Sequence, residues 1–374
     1  MYRAEYSVAM RLLDRYLFRE LLAPLAYCLG GFLIFWISFS LFNDLDKLQT
    51  AKLHLLDVLE YSIAMTPEFL VTALPVALLL ALLYTLTHHA RHNEITAMRA
   101  AGVSLWRICA PYFVVGFFAS MVLFALNEFC VPRSADWADK ILNRYLPKAE
   151  MASAQKKMAF QNDRAHRTWF FSKFNFNAAQ LDDVQVNWSL PDGSSRQLNA
   201  EHAVHTNRIW TFFNVAEYVQ ARPSEPFVPS LQTNVLATPE FAETPREMKI
   251  ELKINDSEQF GHKNILSLAN LLEYLWLRPG VQSGWVQTQL HQHFAEPLTC
   301  LIVVLIAIPF GAVSGRRNLF FGVAGSIFIC FTFFVIQKIS FALGTGGHLP
   351  GWLAAWLPNF IFGAAGIFLT ARVR

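Results

Sequence analysis

Long uncharged apolar stretches restrict this chain more than any motif in it. A helix needs roughly 17 to 25 such residues to cross the hydrocarbon core of a bilayer. Five stretches have that length: Leu21 to Asn43, Phe69 to Thr87, Ile108 to Asn127, Pro297 to Gly315 and Asn318 to Gln337. A sixth, Trp352 to Thr370, follows a break made by Gly344, Gly346, Gly347, Pro350 and Gly351. Lipid offers no hydrogen bonds, so a crossing segment must satisfy its own backbone, and an uninterrupted apolar run does so as a helix. The composition agrees: 54% of the 374 residues are hydrophobic and 16% are charged, against roughly 45–50% and 25% in soluble domains. That balance excludes a disordered chain, a collagen and a coiled coil.

Six crossings return both termini to one side, and short cytoplasmic loops collect Lys and Arg. Arg3, Arg11, Arg15 and Arg19 precede the first span; Arg91, Arg99 and Arg107 separate the second and third. Arg316 and Arg317 separate the fourth and fifth, and Arg372 and Arg374 follow the last. The opposite short loops carry only Lys47, Lys52 and Lys338. Both termini are therefore expected in the cytoplasm. The first span lacks a small-residue cleavage site and reads as a retained anchor. A net charge of +3 without a Lys/Arg block argues against nucleic acid as a partner.

Between the third and fourth spans the composition turns polar and strand-like, as expected of a domain inserted on the outer side of the membrane. Val184, Val186, Trp188 and Leu190 alternate with polar residues, the period of a half-buried strand, and Pro191-Asp192-Gly193 makes a turn. Arg196 to Thr206 plausibly pairs back, and Thr168 to Ser172 and Arg208 to Val219 are further strands. Several short strands suggest an antiparallel sandwich or barrel. The proline-rich stretch Arg222 to Glu247 reads as irregular connection or edge. Leu266 to Leu277 and Trp285 to Phe294 have helical spacing and lead into the fourth span. The expected division is 1–131 for three spans and a cytoplasmic helix at about 90–102, 132–265 for the β domain, and 266–374 for linker helices and three spans.

Motifs for chemistry are scarce. No G-x-x-x-x-G-K-[ST] phosphate cradle and no G-x-S-x-G nucleophile elbow occurs. His88 and His92 share a helix face, but with only Glu94 nearby they read as polar residues at a membrane exit, and no metal is expected. The five cysteines, Cys28, Cys109, Cys130, Cys300 and Cys330, lie in or beside apolar runs and read as small buried hydrophobes. Asp44, Asp46, Glu68, Glu128 and Glu296 sit at membrane borders, where solvation is easy. The connector His88 to Arg107 is amphipathic and is ended by Gly102. It is either a surface-lying joint or the lever on which a separate motor pushes.

At this point the residues resemble a known family. RHNEITAMRAAGVSLWR (Arg91 to Arg107), preceded by LPVALLLALLYTL (Leu74 to Leu86), is similar to the cytoplasmic coupling segment of the LptF/LptG permeases of lipopolysaccharide export. LLDRYLFRE (Leu12 to Glu20), NEFCVP (Asn127 to Pro132), PLTCLIVVLIAIPFG (Pro297 to Gly311) and GHLPGWLAAWLPN (Gly347 to Asn359) resemble further family blocks, in order along the chain. LLDRY and LPNFIFG look closer to the LptG side than to LptF. The resemblance implies an α-helical membrane protein with six transmembrane helices and an inserted periplasmic all-β, jellyroll-like domain, placed in the inner membrane of a Gram-negative bacterium. It also implies a permease subunit rather than an enzyme, without a cofactor of its own, ATP and Mg being bound by a separate LptB-like ABC ATPase. The implied partners are a sister permease of the LptF type or a second copy, LptC- and LptA-like bridge proteins, and lipopolysaccharide drawn from the inner membrane toward the outer membrane.

The resemblance also implies roles for residues. Glu94 matches the acidic residue of the coupling helix, flanked by Arg91 and Arg99, and would dock into a groove of the ATPase; the alternative is an exposed helix carboxylate. Lys47 aligns with a basic residue of the family, and Arg133, Lys140 and Arg144 by location would face a phosphorylated head group. The chain departs from the family at Glu68, and at Gln292 and His293, where family members often carry basic residues; His293 is still a candidate cation. Acyl chains need shelter from water at ~0.8 kcal/mol per CH₂, and Val184, Val186 and Trp188 either line that path or form ordinary core. A reading from a different class is a membrane enzyme acting on lipid-linked sugars with Asp44, Glu68 and Glu296, which requires those groups to converge. Another is a membrane anchor for a periplasmic binding domain.

Overall fold

A computed structural model describes residues 2–50, 53–142, 144, 158–162, 165–175, 178–190, 194–222, 225–260, 266–277, 283–311 and 319–372. The Pro191-Asp192-Gly193 turn, Lys52, Arg316, Arg317 and Arg374 lie outside the described residues. The chain divides into two compact units, 1–144 with 281–374, and 145–280. In chain order the first unit contributes α1 (Tyr2–Asn43), α2 (Leu45–Thr50), α3 (Leu55–Arg91), α4 (Glu94–Ala100), α5 (Leu105–Ala125), a π-helical turn (Leu126–Cys130) and α6 (Val131–Leu142). The second contributes β1 (Met158–Asn162), β2 (Arg167–Phe171), β3 (Lys173–Asn175), β4 (Gln180–Ser189), β5 (Ser195–Thr206), β6 (Ile209–Gln220), β7 (Val228–Thr238), α7 (Pro245–Phe260) and α8 (Leu268–Leu277). The chain then returns to the first unit with α9 (Gly284–Ala295), α10 (Thr299–Gly311), α11 (Leu319–Thr345) and α12 (Gly351–Arg372).

The boundaries expected at 132 and 265 therefore differ from the observed ones. α6 continues the third span and belongs to the membrane unit, because its apolar side, with Ala138 and Ile141, packs on Leu48, Tyr61 and Ala64. α8, expected as a linker of the last part, lies in the second unit instead.

Helices α1, α3, α5, α11 and α12 contain segments long and apolar enough to cross a membrane, and α9 with α10 form a sixth candidate bent by 54°. α10 alone has 13 residues, about 20 Å at 1.5 Å per residue, shorter than a ~30 Å core. The fourth candidate crossing is thus a bent pair of helices, and residues 312–315 of the expected Pro297 to Gly315 lie outside the described residues. Pro297 lacks the N–H that an unbroken helix would use there. α3 is apolar on all sides, the pattern of a central helix, and 67% of its membrane window is buried against 6% for α1. Leu78, Leu79, Leu82 and Leu83 of α3 meet Cys109 and Tyr112 of α5 and Val304 and Ala307 of α10 in the main core. Small residues permit close helix contact, as is usual in membranes. A Cβ on Gly351 of α12 would lie 2.7 Å from the Thr288 backbone nitrogen of α9.

The inserted unit is one antiparallel sheet in the order β1-β2-β4-β5-β6-β7, with β3 paired to β4. Its core holds Phe160, Trp169, Phe171, Trp210, Phe212 and Phe241, joined by Met248 of α7. The buried positions Leu181 and Val184 of β4, Ala200 and Ala203 of β5, and Phe212 and Val215 of β6 are three apart. In a regular strand such pairs would face opposite sides. Between them Asp183 (φ 51°) and Asn214 (φ 53°) adopt left-handed backbone, and the Asn214 amide donates to Glu201 across the strands. Three strands change phase along one line, so both halves of the sheet turn their apolar residues to one core. Among the described residues the strands thus form one creased antiparallel sheet, the inserted all-β unit expected. The proline-rich stretch contains the edge strand β7, where Pro229 needs no outer hydrogen bond.

Left-handed backbone disfavours branched side chains, at about 1–2 kcal/mol. Asn214→Val should destabilise the β unit by that order and so lower its thermal midpoint, while Asn214→Gly keeps the conformation and loses less; circular dichroism of the purified chain separates the two.

Candidate functional site

The connector between the second and third spans is held by two tight turns. α3 ends at Arg91, and Asn93 takes left-handed backbone (φ 59°) to start α4 at Glu94. α4 ends in a Schellman turn: Val103 N–H donates to Met98 O at 3.1 Å and Gly102 N–H to Arg99 O at 2.9 Å, with Gly102 at φ 86°. Ser104 caps α5 by accepting from the Arg107 N–H. Ile95 is buried beside Ala90, with Met98 and Leu105 packed on them. Arg91, Thr96, Ala97 and Arg99 are exposed.

Glu94 is neither a free carboxylate nor limited to an i,i+4 contact. Its Oε2 accepts from the Tyr16 hydroxyl of α1 at 3.1 Å and lies 2.6 Å from His89 Nδ1 of α3. His89 is fully buried, and its Nε2 has no hydrogen-bond partner among the described residues. A carboxylate only accepts, so donation runs from Nδ1–H to Glu94. Nearby, Arg107 Nη2 of α5 pairs with Asp14 of α1 at 2.6 Å, and Thr85 Oγ1 of α3 donates to Glu20 O of α1 at 3.2 Å.

On the opposite side of the membrane unit, α6 carries Arg133, Trp137 and Lys140 on one exposed face at helical spacing. Val131, Ser134, Ala138 and Ile141 form the buried face. Arg144, just past the helix, forks between Asp57 and Glu60 of α3, reaching Glu60 Oε2 at 3.0 Å. Trp137 Nε1 donates to Glu60 at 3.0 Å. Bonds to these carboxylates hold the Arg144 guanidinium above its usual range. Its charge is thus met within the protein, whereas Arg133 and Lys140 are exposed. Lys47 lies in α2, with its side chain outside the described part.

The remaining candidates are dispersed. His293 is buried on α9, with Nδ1 3.1 Å from Gln289 O. Val184 and Val186 are buried in the β core, with Trp188 packed on it. Asp44 accepts from Tyr61 at 3.3 Å, Asn127 of the π turn reaches Glu296 at 3.5 Å, and Glu68 is exposed on α3. Among the described residues no group of three or more His, Cys, Asp or Glu is placed to hold a metal. Cys109, Cys300 and Cys330 are buried, but Cys130 is exposed on the π turn, against the expectation of five buried thiols.

Residues 15–372 match the family described as lipopolysaccharide export system permease LptF/LptG. The chain belongs to the LptF/LptG family. Among similar proteins, the lipopolysaccharide export system permease protein LptF of Escherichia coli (strain K12) is 21% identical over 304 residues, 81% of this chain and 79% of that one. LptF of Shigella flexneri matches to the same extent. These relatives are LptF proteins, which corrects the expected leaning toward LptG: the short strings LLDRY and LPNFIFG carry too few residues to divide the family. As an LptF/LptG permease the chain is a transport subunit and not an enzyme, with ATP hydrolysis in a separate subunit.

Tyr16 carries no signal in the sequence, since nothing local shows that residues 78 positions apart meet at Glu94. The His-His-x-x-x-x-Glu spacing from His89 to Glu94 was visible, but only as a weak metal pattern. Glu94→Ala leaves the buried His89 N–H without an acceptor, which costs about 1–3 kcal/mol; a lowered thermal midpoint of the purified permease is the expected outcome.

Proposed function

We propose that this LptF/LptG permease takes lipopolysaccharide from the inner membrane and passes it toward a periplasmic bridge, driven by a cytoplasmic LptB-like ABC ATPase that binds ATP and Mg. The single observation that carries the reading is the family match across nearly the whole chain, through both the helical and the inserted β unit. The arginines of the terminal side support cytoplasmic termini, with the β unit then in the periplasm.

In this reading α4 is the coupling helix. Exposed Arg91 at the end of α3 and Arg99 of α4 face the motor, and Glu94 at the start of α4 meets a basic group there. The exposed α6 face, with Arg133 and Lys140 beside Trp137, suits phosphate groups of a glycolipid at the outer leaflet. Lys47, Arg144 and His293 extend the candidate head-group set, Arg144 after exchange of its carboxylate partners. Passage of acyl chains past Val184, Val186 and Trp188 requires the aromatic side chains filling that core to separate. β7 pairs only with β6 among the described residues and exposes Val228, Leu231 and Val235; such an edge suits strand addition by an LptC- or LptA-like protein. A sister permease or a second copy completes the cavity.

Purification of tagged protein from its native membrane in mild detergent, with mass spectrometry of what accompanies it, tests the reading. Wild type should bring an ABC ATPase, and Glu94→Arg should lose it. Crosslinked wild-type material without any ATPase would move the membrane-enzyme and anchor readings to the front.

A further inference from the structure

We propose that Tyr16 and His89 are positioning residues for energy coupling: they latch Glu94, and with it α4, to α1 and α3, so that a push on the connector is delivered to α1. The inference rests on the reading of α4 as the coupling helix, and goes beyond it by naming the joint through which that helix acts.

α4 is a seven-residue helix between two tight turns, and Ile95 is its one buried side chain. Apolar packing alone therefore holds it weakly. The polar contacts bracket it instead. At its start one oxygen of Glu94 takes Tyr16 of α1 and His89 of α3 together. Just beyond its end, Arg107 pairs with Asp14, two residues from Tyr16 on the same helix. Both brackets thus tie the connector to one short stretch of α1, and the Tyr16 and His89 rings lie 5.7 Å apart.

α1 itself has the form of a lever. Leu17, Leu21 and Leu25 are buried at four-residue spacing, one stripe against α3. Beyond Leu25 no described residue of α1 is buried, and Tyr27, Ile34, Phe35 and Phe42 are strongly exposed. The latched end is the more deeply packed, whereas the far half meets its neighbours through partly buried side chains, Cys28, Leu29 and Phe32 on the main core and Trp36 stacked on Phe69 of α3 at 4.8 Å. Both latch bonds fall on Glu94 Oε2, and the side chain is partly exposed, so Oε1 can meet an incoming cation while the latch stays in place. Docking of a basic group and the latch thus act through one carboxylate, and a push on α4 reaches α1.

The test uses the complete complex purified with its ATPase and reconstituted in vesicles containing lipopolysaccharide, comparing wild type with Tyr16→Phe, His89→Ala, His89→Asn and Glu94→Gln. Lipid extracted per ATP hydrolysed is measured alongside ATPase recovery and the melting temperature. Tyr16→Phe and His89→Ala should retain the ATPase yet lower extraction per ATP by about tenfold, the scale of one charged hydrogen bond. His89→Asn keeps a donor near the Nδ1 position and should restore most of the loss. Glu94→Gln added to Tyr16→Phe should lower extraction by much less than the product of the single effects, because both act on one contact. If His89→Ala does not fold, Tyr16→Phe, which removes a single oxygen, decides by its extraction ratio and by that non-additivity. Uncoupling by Glu94→Gln with wild-type ratios in Tyr16→Phe and His89→Ala would overturn the latch and leave the coupling-helix reading standing. Wild type that recovers no ATPase would overturn both.

Discussion

A bilayer supplies no water to its hydrocarbon core, and the membrane unit is organised by that one condition. Every backbone group in a crossing must be satisfied within a helix, and each side-chain polar group at depth needs a partner in the protein or a route to an interface. α3 occupies the centre because it is apolar on all sides, and α1, α5, α10 and α11 pack on it. Where helices approach closely, glycine admits the contact, as Gly351 does against the Thr288 backbone. Polar side chains inside the bundle turn to backbone carbonyls, as in Thr85 to Glu20 O, and Asn359 to Ala295 O at 2.7 Å.

The same condition makes departures from regular helix informative. The third span passes through a π turn at Leu126–Cys130, and α9 and α10 meet at a bend of 54°. Asn127 of the first irregularity meets Glu296 of the second. π turns and broken spans leave backbone groups that need other partners, so they are tolerated inside a protein bundle and concentrate at moving or binding sites. At the other end of the unit, the α3–α4–α5 connector is short and closed by left-handed residues at Asn93 and Gly102. A joint so tightly turned transmits displacement instead of absorbing it.

The inserted unit follows a different rule, since its strands have water on one side. Its alternation is interrupted along Asp183, Glu201 and Asn214, and this crease lets one sheet enclose a core of tryptophan and phenylalanine. Glu243, buried at one end of that core, is held by Arg167 at 3.1 Å and Asn162 at 2.8 Å. Arg167 also lies over the Phe241 ring at 4.3 Å, so the ion pair and the aromatic core close the same end.

Much of this was legible in residue order because it depends on local periodicity and on length. Runs of about 20 apolar residues make spans in lipid whatever surrounds them, alternation over Val184 to Trp188 makes a strand, and Gly after an amphipathic turn ends a helix. The sequence by itself determined the helical membrane class, the inserted strand-rich segment and the connector carrying Glu94. Tertiary structure decided what depends on residues far apart. It joined Tyr16 and His89 to Glu94, set Arg144 between Asp57 and Glu60, and put Arg133, Trp137 and Lys140 on an open face. It also bent α9 against α10 and creased the sheet. A carboxylate or guanidinium at a membrane border looks the same in sequence whether it meets solvent or a partner, because its pairing is set by which helices pack beside it.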